Sequence, residues 1–325
     1  MADIAKAASI EPDAPVLEGV SRLAVTLWRD AWKHADKTAQ GDAEALHDMR
    51  VAIRRLRSLL QNFEGEKESP VLTPCLRNEL RDHRNSLSKL GDALGLVRDC
   101  DVLTSYLNDY AANRLKAPLD ENTPGLLTFE RHLQNRRAEA FAPMVKRINK
   151  SRRPQGLHEQ FARWALGLPA AASPALSLSD TAHNLLAVRL DEIQDHADAL
   201  DAAHVEVEQH ELRKSLRRLR YTFETLGPCY TDDVKPQIKT LVELQDLLGE
   251  MQDRAVLHMT ALGAFGVPVQ FTEDGIRPTL PEEIPEDVAA FLKYGANRRS
   301  HLLGQVRGLW KKQQDAGFFE KLREI

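Results

Sequence analysis

Two stretches decide the reading of this chain, HDMRVAIRRLRSLL at residues 47–60 and HELRKSLRRLRYTF at residues 210–223. Superposed, they match His47 with His210, Arg50 with Arg213, Arg54 with Arg217, Arg55 with Arg218, Leu56 with Leu219 and Arg57 with Arg220. On a helix that turns 100° per residue, Met49, Ile53, Leu56, Leu60 and Phe63 share one face, while His47, Arg50, Arg54 and Arg57 share another. The second copy repeats the division. Leu212, Leu216, Leu219 and Phe223 form its apolar face and His210, Arg213, Arg217 and Arg220 its basic stripe, with Lys214 between and Tyr221 close to His210 on the wheel. Arg55 and Arg218 fall off the stripe in both copies.

The repetition extends beyond these helices. LGDALGLVRDCDVL (90–103) matches LQDLLGEMQDRAVL (244–257), and FERHLQNRR (129–137) matches FLKYGANRR (291–299). Three matches in the same order at nearly constant offset indicate a tandem duplication of a helical unit. The first half covers 15–150 and the second 179–313, joined by a Pro-, Ala- and Ser-rich connector over 151–178 with room for one short helix. Helical periodicity runs through both halves and strand signals are weak, so the expected fold is all-α. Helices are expected at about 15–40, 43–63, 74–93, 96–117, 126–149, 179–203, 205–226, 233–263 and 286–313. The prolines and glycines of 264–285 forbid a continuous helix there.

Composition narrows the function. The 325 residues are 42% apolar and 28% charged, as in an ordinary globular protein, and the formal net charge of −4 means that any basic function rests on local clustering. No run reaches the roughly 18 to 20 apolar residues of a membrane span, and the first residues carry no apolar stretch for secretion, so a cytoplasmic address is expected. Cys75, Cys100 and Cys229 are scattered without CxxC spacing, against a disulfide framework or a cysteine zinc site. No HExxH, phosphate-binding GxxxxGK[ST] loop, strand-borne GxGxxG or GxSxG turn is present; no metal, cofactor or catalytic residue is expected.

Exposed helix faces normally interleave acids with bases, because like charges at i,i+4 cost roughly 0.2–0.5 kcal/mol each. Neither 49–60 nor 212–221 contains an acid. A helix that carries such repulsion in duplicate is built to meet an anion. Guanidinium forks suit phosphate oxygens, and arginines at i, i+4 and i+7 rise about 10 Å along a helix, enough to follow an extended polyanion. Polyphosphate and nucleic acid both fit, although aromatics are only 6% of the chain and few lie among the arginines, which disfavours base stacking. His47 and His210 either cap their helices or add a pH-sensitive contact to bound phosphate. Asp92, Asp99, Asp246 and Asp253 read as carboxylates orienting the arginines, or, in the alternative reading, as the acid–base set of a metal-dependent phosphohydrolase. Gly95 and Gly249 allow a close helix approach or a helix break.

The pattern HxxRVxxRRLRSxL, then LGxxRDxDVL, then HxxRKxxRRLRYxxE resembles the CHAD domain, an α-helical family named for its histidines, over about residues 15–313. The resemblance implies two tandem four-helix-bundle halves related by pseudo-twofold symmetry around a basic central cavity. It also implies non-enzymatic binding of inorganic polyphosphate, with phosphate or sulfate as small anions for the same site, and association with polyphosphate granules. It chooses polyphosphate over nucleic acid. The binding residues it implies are His47, Arg50, Arg54 and Arg57 in the first half and His210, Arg213, Lys214, Arg217, Arg220 and Tyr221 in the second. Arg55 and Arg218 flank them, and Arg98 falls in the LGxxRD motif, although Gln252 stands at its aligned position. Arg136, Arg137, Arg298 and Arg299 are candidate wall residues.

Overall fold

The computed structural model describes residues 4–64, 72–171, 176–200, 206–230, 233–267 and 284–325. The helices in chain order are α1 (Ile4–Ala7), α2 (Val16–Lys33), α3 (Ala35–Ala39), α4 (Ala43–Glu64), α5 (Pro74–Tyr110), α6 (Pro124–Ser151), α7 (Leu157–Gly167), α8 (Leu178–Gln194), α9 (Glu206–Leu226), α10 (Lys235–Ala264), α11 (Glu286–Asp315) and α12 (Phe318–Leu322). Among the described residues there is no β-strand, only an isolated bridge between Pro15 and Ser177, and no helix is long and apolar enough to cross a membrane. The expected all-α class holds. Most of the segment 264–285 lies outside the described residues.

Local chemistry starts each repeat helix where the sequence allows it. Asp42 accepts from the backbone N–H groups of Glu44 and Ala45 at 3.0 and 2.8 Å, which caps α4. His47 therefore lies inside the helix rather than at its cap. Thr73 caps α5, its hydroxyl accepting from Leu76 N–H at 3.3 Å ahead of Pro74 at the first helical position. The apolar stripes then bury as their spacing predicts. Met49, Ile53, Leu56, Leu60 and Phe63 on α4 and Leu212, Leu216, Leu219 and Phe223 on α9 are all at most 2% exposed.

The order of helix contacts is the same in the two halves. α2 packs on α4, α4 on α5 and α5 on α6; α8 packs on α9, α9 on α10 and α10 on α11. Packing does not stop at the boundary between the halves. α4 lies against α9, and the larger apolar core draws on α2, α4, α5, α8, α9 and α10 together. A second core joins Leu103 and Leu107 of α5, Phe129 and Leu133 of α6, Leu257 of α10 and Val288 and Phe291 of α11. There the aligned residues Phe129 and Phe291 meet with ring centres 6.3 Å apart. Asp287 of α11 accepts from Leu126 N–H at the start of α6, at 2.9 Å. The connector carries one short α-helix, α7, whose Phe161 and Trp164 pack around His83 of α5.

The expected helix bounds do not all hold: the stretch 15–40 forms α2 and α3, and the boundary between 93 and 96 is absent. The separate helices expected at 74–93 and 96–117 are a single 37-residue helix, α5, which passes Gly91 and Gly95 without a break. An interior glycine costs about 1 kcal/mol relative to alanine. Burial of Leu87, Leu90, Leu94 and Val97 along the same helix outweighs that cost.

Candidate anion-binding site

Because α4 and α9 pack side by side, their basic stripes meet. Arg54, Arg57 and Arg84 from the first half and Lys214, Arg217 and Arg218 from the second line one cavity of about 440 Å³. Ser58, Gln61, Asn85, Ser88 and Tyr221 complete its described lining, which contains no acid. A second cavity of about 330 Å³ adjoins it, sharing Arg54 and Arg57 and adding Arg50, Asp92 and Asp99. Arg54 stands between the two.

The glycines of α5 and α10 explain how the guanidinium groups are seated. A Cβ on Gly91 would lie 3.4 Å from Arg57 Nη1, one on Gly95 3.5 Å from Arg50 Nη2, and one on Gly249 3.3 Å from Arg213 Nη2. The α5 and α10 faces are thus bare where the arginines of α4 and α9 cross them. The close approach expected at Gly95 and Gly249 exists, but it admits a guanidinium group rather than a neighbouring backbone.

The cations act on one another strongly. Burial, then Arg54, holds the Arg217 guanidinium down to about 10. Burial also lowers Arg50, Arg57 and Arg213, with Arg54 among the opposing cations in each case. His47 is held below the usual imidazole range by partial burial and then by Arg98, and His210 by burial and then by Lys214. Burial pushes the Tyr221 phenol upward, but Arg54, Arg220, Arg217 and Arg55 together hold it below its ordinary value. Its hydroxyl is buried and has no hydrogen-bond partner among the described residues.

Several candidates turn instead to structural carboxylates. Arg55 Nε lies 2.8 Å from Glu224 Oε2, and Arg220 Nε is 3.5 Å from Glu224 Oε1. Arg218 Nε binds Glu192 Oε2 at 2.7 Å on the cavity wall, and Lys214 Nζ reaches Glu211 Oε1 at 2.5 Å. Arg298, far from the cavity in the chain, is held by both oxygens of Glu250 at 2.9 and 3.2 Å. Arg137 binds Asp101 at 2.6 Å, whereas Arg136 is exposed on α6 and Arg98 half-buried on α5.

The aspartates separate as well. Asp99 lies 3.5 Å from Arg50 Nη2, and Asp253 accepts from the Tyr106 hydroxyl at 3.5 Å in the field of Arg213. Burial raises both carboxyls above the usual carboxylate range. Asp92 lines the second cavity beside Arg57, while Asp246 is exposed on α10.

Sequence reasoning missed Arg84. It lies on the α5 face of Ser88, Gly91 and Gly95, and extending that face one turn back would have found it. Ile238 and Val242 stand where the repeat alignment would place counterparts of Arg84 and Ser88, so what α5 adds to the cavity has no polar counterpart at the aligned positions of α10.

Comparison with known proteins agrees with this architecture. The uncharacterized protein Rv2226 of Mycobacterium tuberculosis is 28% identical over 265 residues, covering 75% of this chain, which spans 44% of that protein's length. The crystal structure of the CHAD domain from the plant Ricinus communis superposes with a TM-score of 0.66 at 21% identity, covering 93% of each chain. PptA from Streptomyces chartreusis superposes at 0.63 with 17% identity, covering 93% of this chain and 100% of its own. The sequence model of the CHAD domain matches residues 24–262, and the chain belongs to the CHAD domain family.

Proposed function

We propose that the protein binds inorganic polyphosphate without hydrolysing it, using the cavity where the two basic helices meet. One observation carries this reading. Arg54, Arg57 and Arg217 face a common space with no acid among its described lining residues, so their repulsion is relieved by an anion from outside. Family membership supports polyphosphate as that anion. Tyr221 is the one aromatic among the described lining residues and is 1% exposed, so no stacking platform for bases is offered. Phosphate and sulfate are the expected small competitors. Cytoplasmic residence at polyphosphate granules completes the proposal.

Calorimetric titration with medium-chain polyphosphate at two salt concentrations tests it. Affinity should fall steeply with salt as neutralised phosphates release counterions. Triple charge reversal of Arg50, Arg54 and Arg217 should abolish binding, and RNA of equal charge should compete poorly. Incubation with Mg²⁺ or Mn²⁺ should leave the polyphosphate chain length unchanged. Salt-independent binding, or binding that survives the triple reversal, refutes the reading.

A further inference from the structure

Glu224 is a buried carboxylate at the seam between the two basic helices, its side chain 7% exposed. It accepts a hydrogen bond from Arg55 of α4 at 2.8 Å and forms a looser ion pair with Arg220 of α9 at 3.5 Å, so it pairs with one arginine from each half. Those two guanidinium groups lie 5.9 and 4.9 Å from the centre of the Tyr221 ring. The ring is thus held by two cations that a single carboxylate anchors, and Tyr221 itself lines the acid-free cavity. Its hydroxyl has no hydrogen-bond partner among the described residues although Tyr221 is 1% exposed. A buried hydroxyl in that state is costly, and one on a cationic cavity wall is placed to donate to an anion.

We infer that Glu224 is a positioning residue of the polyanion site: it clamps Arg55 and Arg220 onto the Tyr221 ring and so presents the phenol hydroxyl as a neutral donor to a phosphate oxygen. This rests on the polyphosphate reading of the cavity. It gives Arg55 and Arg220 a role apart from that of Arg54, Arg57 and Arg217: they face Tyr221 and an acid, not the ligand. The cationic surroundings that hold the phenol below its ordinary value also make its O–H a stronger donor.

A neutral donor and a cation leave different signatures. Each lost phosphate-neutralising cation lowers the slope of log affinity against log salt by roughly 0.7 to 0.9, whereas loss of a neutral donor leaves the slope alone. Tyr221→Phe should therefore weaken medium-chain polyphosphate binding roughly tenfold at an unchanged salt slope. Glu224→Gln supplies a test of sign. Charge alone predicts tighter polyanion binding, since an acid is removed from among cations. The clamp predicts weaker binding in the Tyr221 protein and the tighter binding expected from charge only in the Tyr221→Phe background.

A Glu224→Gln protein that melts near the wild-type temperature and binds as well as wild type, or better, overturns the inference. If Glu224→Gln fails to fold, Tyr221→Phe decides alone, and wild-type affinity in that variant overturns the inference. Wild-type protein that binds no polyphosphate overturns the functional reading and the inference with it; wild-type binding with indifferent variants overturns the inference alone.

Discussion

Arg54→Met should stabilise the free protein and weaken its hold on polyphosphate. Arg54 stands between the two cavities and opposes Arg50, Arg57, Arg213 and Arg217, and its own Nε is buried without a hydrogen-bond partner among the described residues. The depression of Arg217 to about 10 corresponds to about 3 kcal/mol of penalty on its charged form, burial coming first and Arg54 next. That penalty is fully present at neutral pH, below the depressed value. Removing Arg54 leaves the burial part and returns on the order of 1 kcal/mol, while methionine keeps the unbranched stem packed. In thermal unfolding without anion, the variant should melt about 1–2 °C above wild type. With polyphosphate at one hundred times the wild-type Kd, wild type gains about 2.7 kcal/mol by linkage and the order reverses, since a tenfold weaker variant gains about 1.3 kcal/mol less. The salt slope of binding should drop by roughly 0.7 to 0.9. A variant that melts lower than wild type, or that keeps the full slope, refutes the idea that Arg54 is a strained cation kept for a ligand.

The histidines give a pH test. His47 and His210 are depressed by partial burial and by neighbouring cations, so the free protein loses stability as pH falls below the ordinary imidazole value, and bound phosphate reverses the effect. Polyphosphate affinity should rise between pH 8 and pH 6 with proton uptake measurable by calorimetry in buffers of different ionisation heat, and His47→Gln/His210→Gln should flatten it. Asp99→Asn and Asp253→Asn remove carboxylates that compete for Arg50 and Arg213; each should tighten binding a few-fold in the same titration, and weaker binding would contradict that role. Gly125→Ala would place a Cβ 2.4 Å from Asp287 Oδ1 and 2.6 Å from Pro285 Cβ where α6 meets α11. Overpacking there should cost about 1–3 kcal/mol in denaturant unfolding.

Much of the site was legible because duplication doubles a weak signal. Arg54 and Arg217 could be paired from spacing alone, and the packing of α4 on α9 then brings them to one cavity. What stayed hidden depended on distant partners. Arg55, Arg218 and Arg298 look like further site cations in sequence, yet Glu224, Glu192 and Glu250 hold them from 169, 26 and 48 residues away. None of those acids lies on the helical wheel of the arginine it holds. The unbroken course of α5 was hidden for the opposite reason: Gly91 and Gly95 carry the local signature of a break, while the guanidinium groups that fill their space come from another helix. Arg84 escaped because it lies outside the duplicated motif.

That last asymmetry has a consequence for what the site can sense. Linear polyphosphate reads the same from either end, so unlike a nucleic acid it cannot be oriented by a lopsided receptor. A polyphosphate bound as proposed would therefore meet Arg84 and Ser88, whose aligned positions are the aliphatic Ile238 and Val242, whichever way the chain ran.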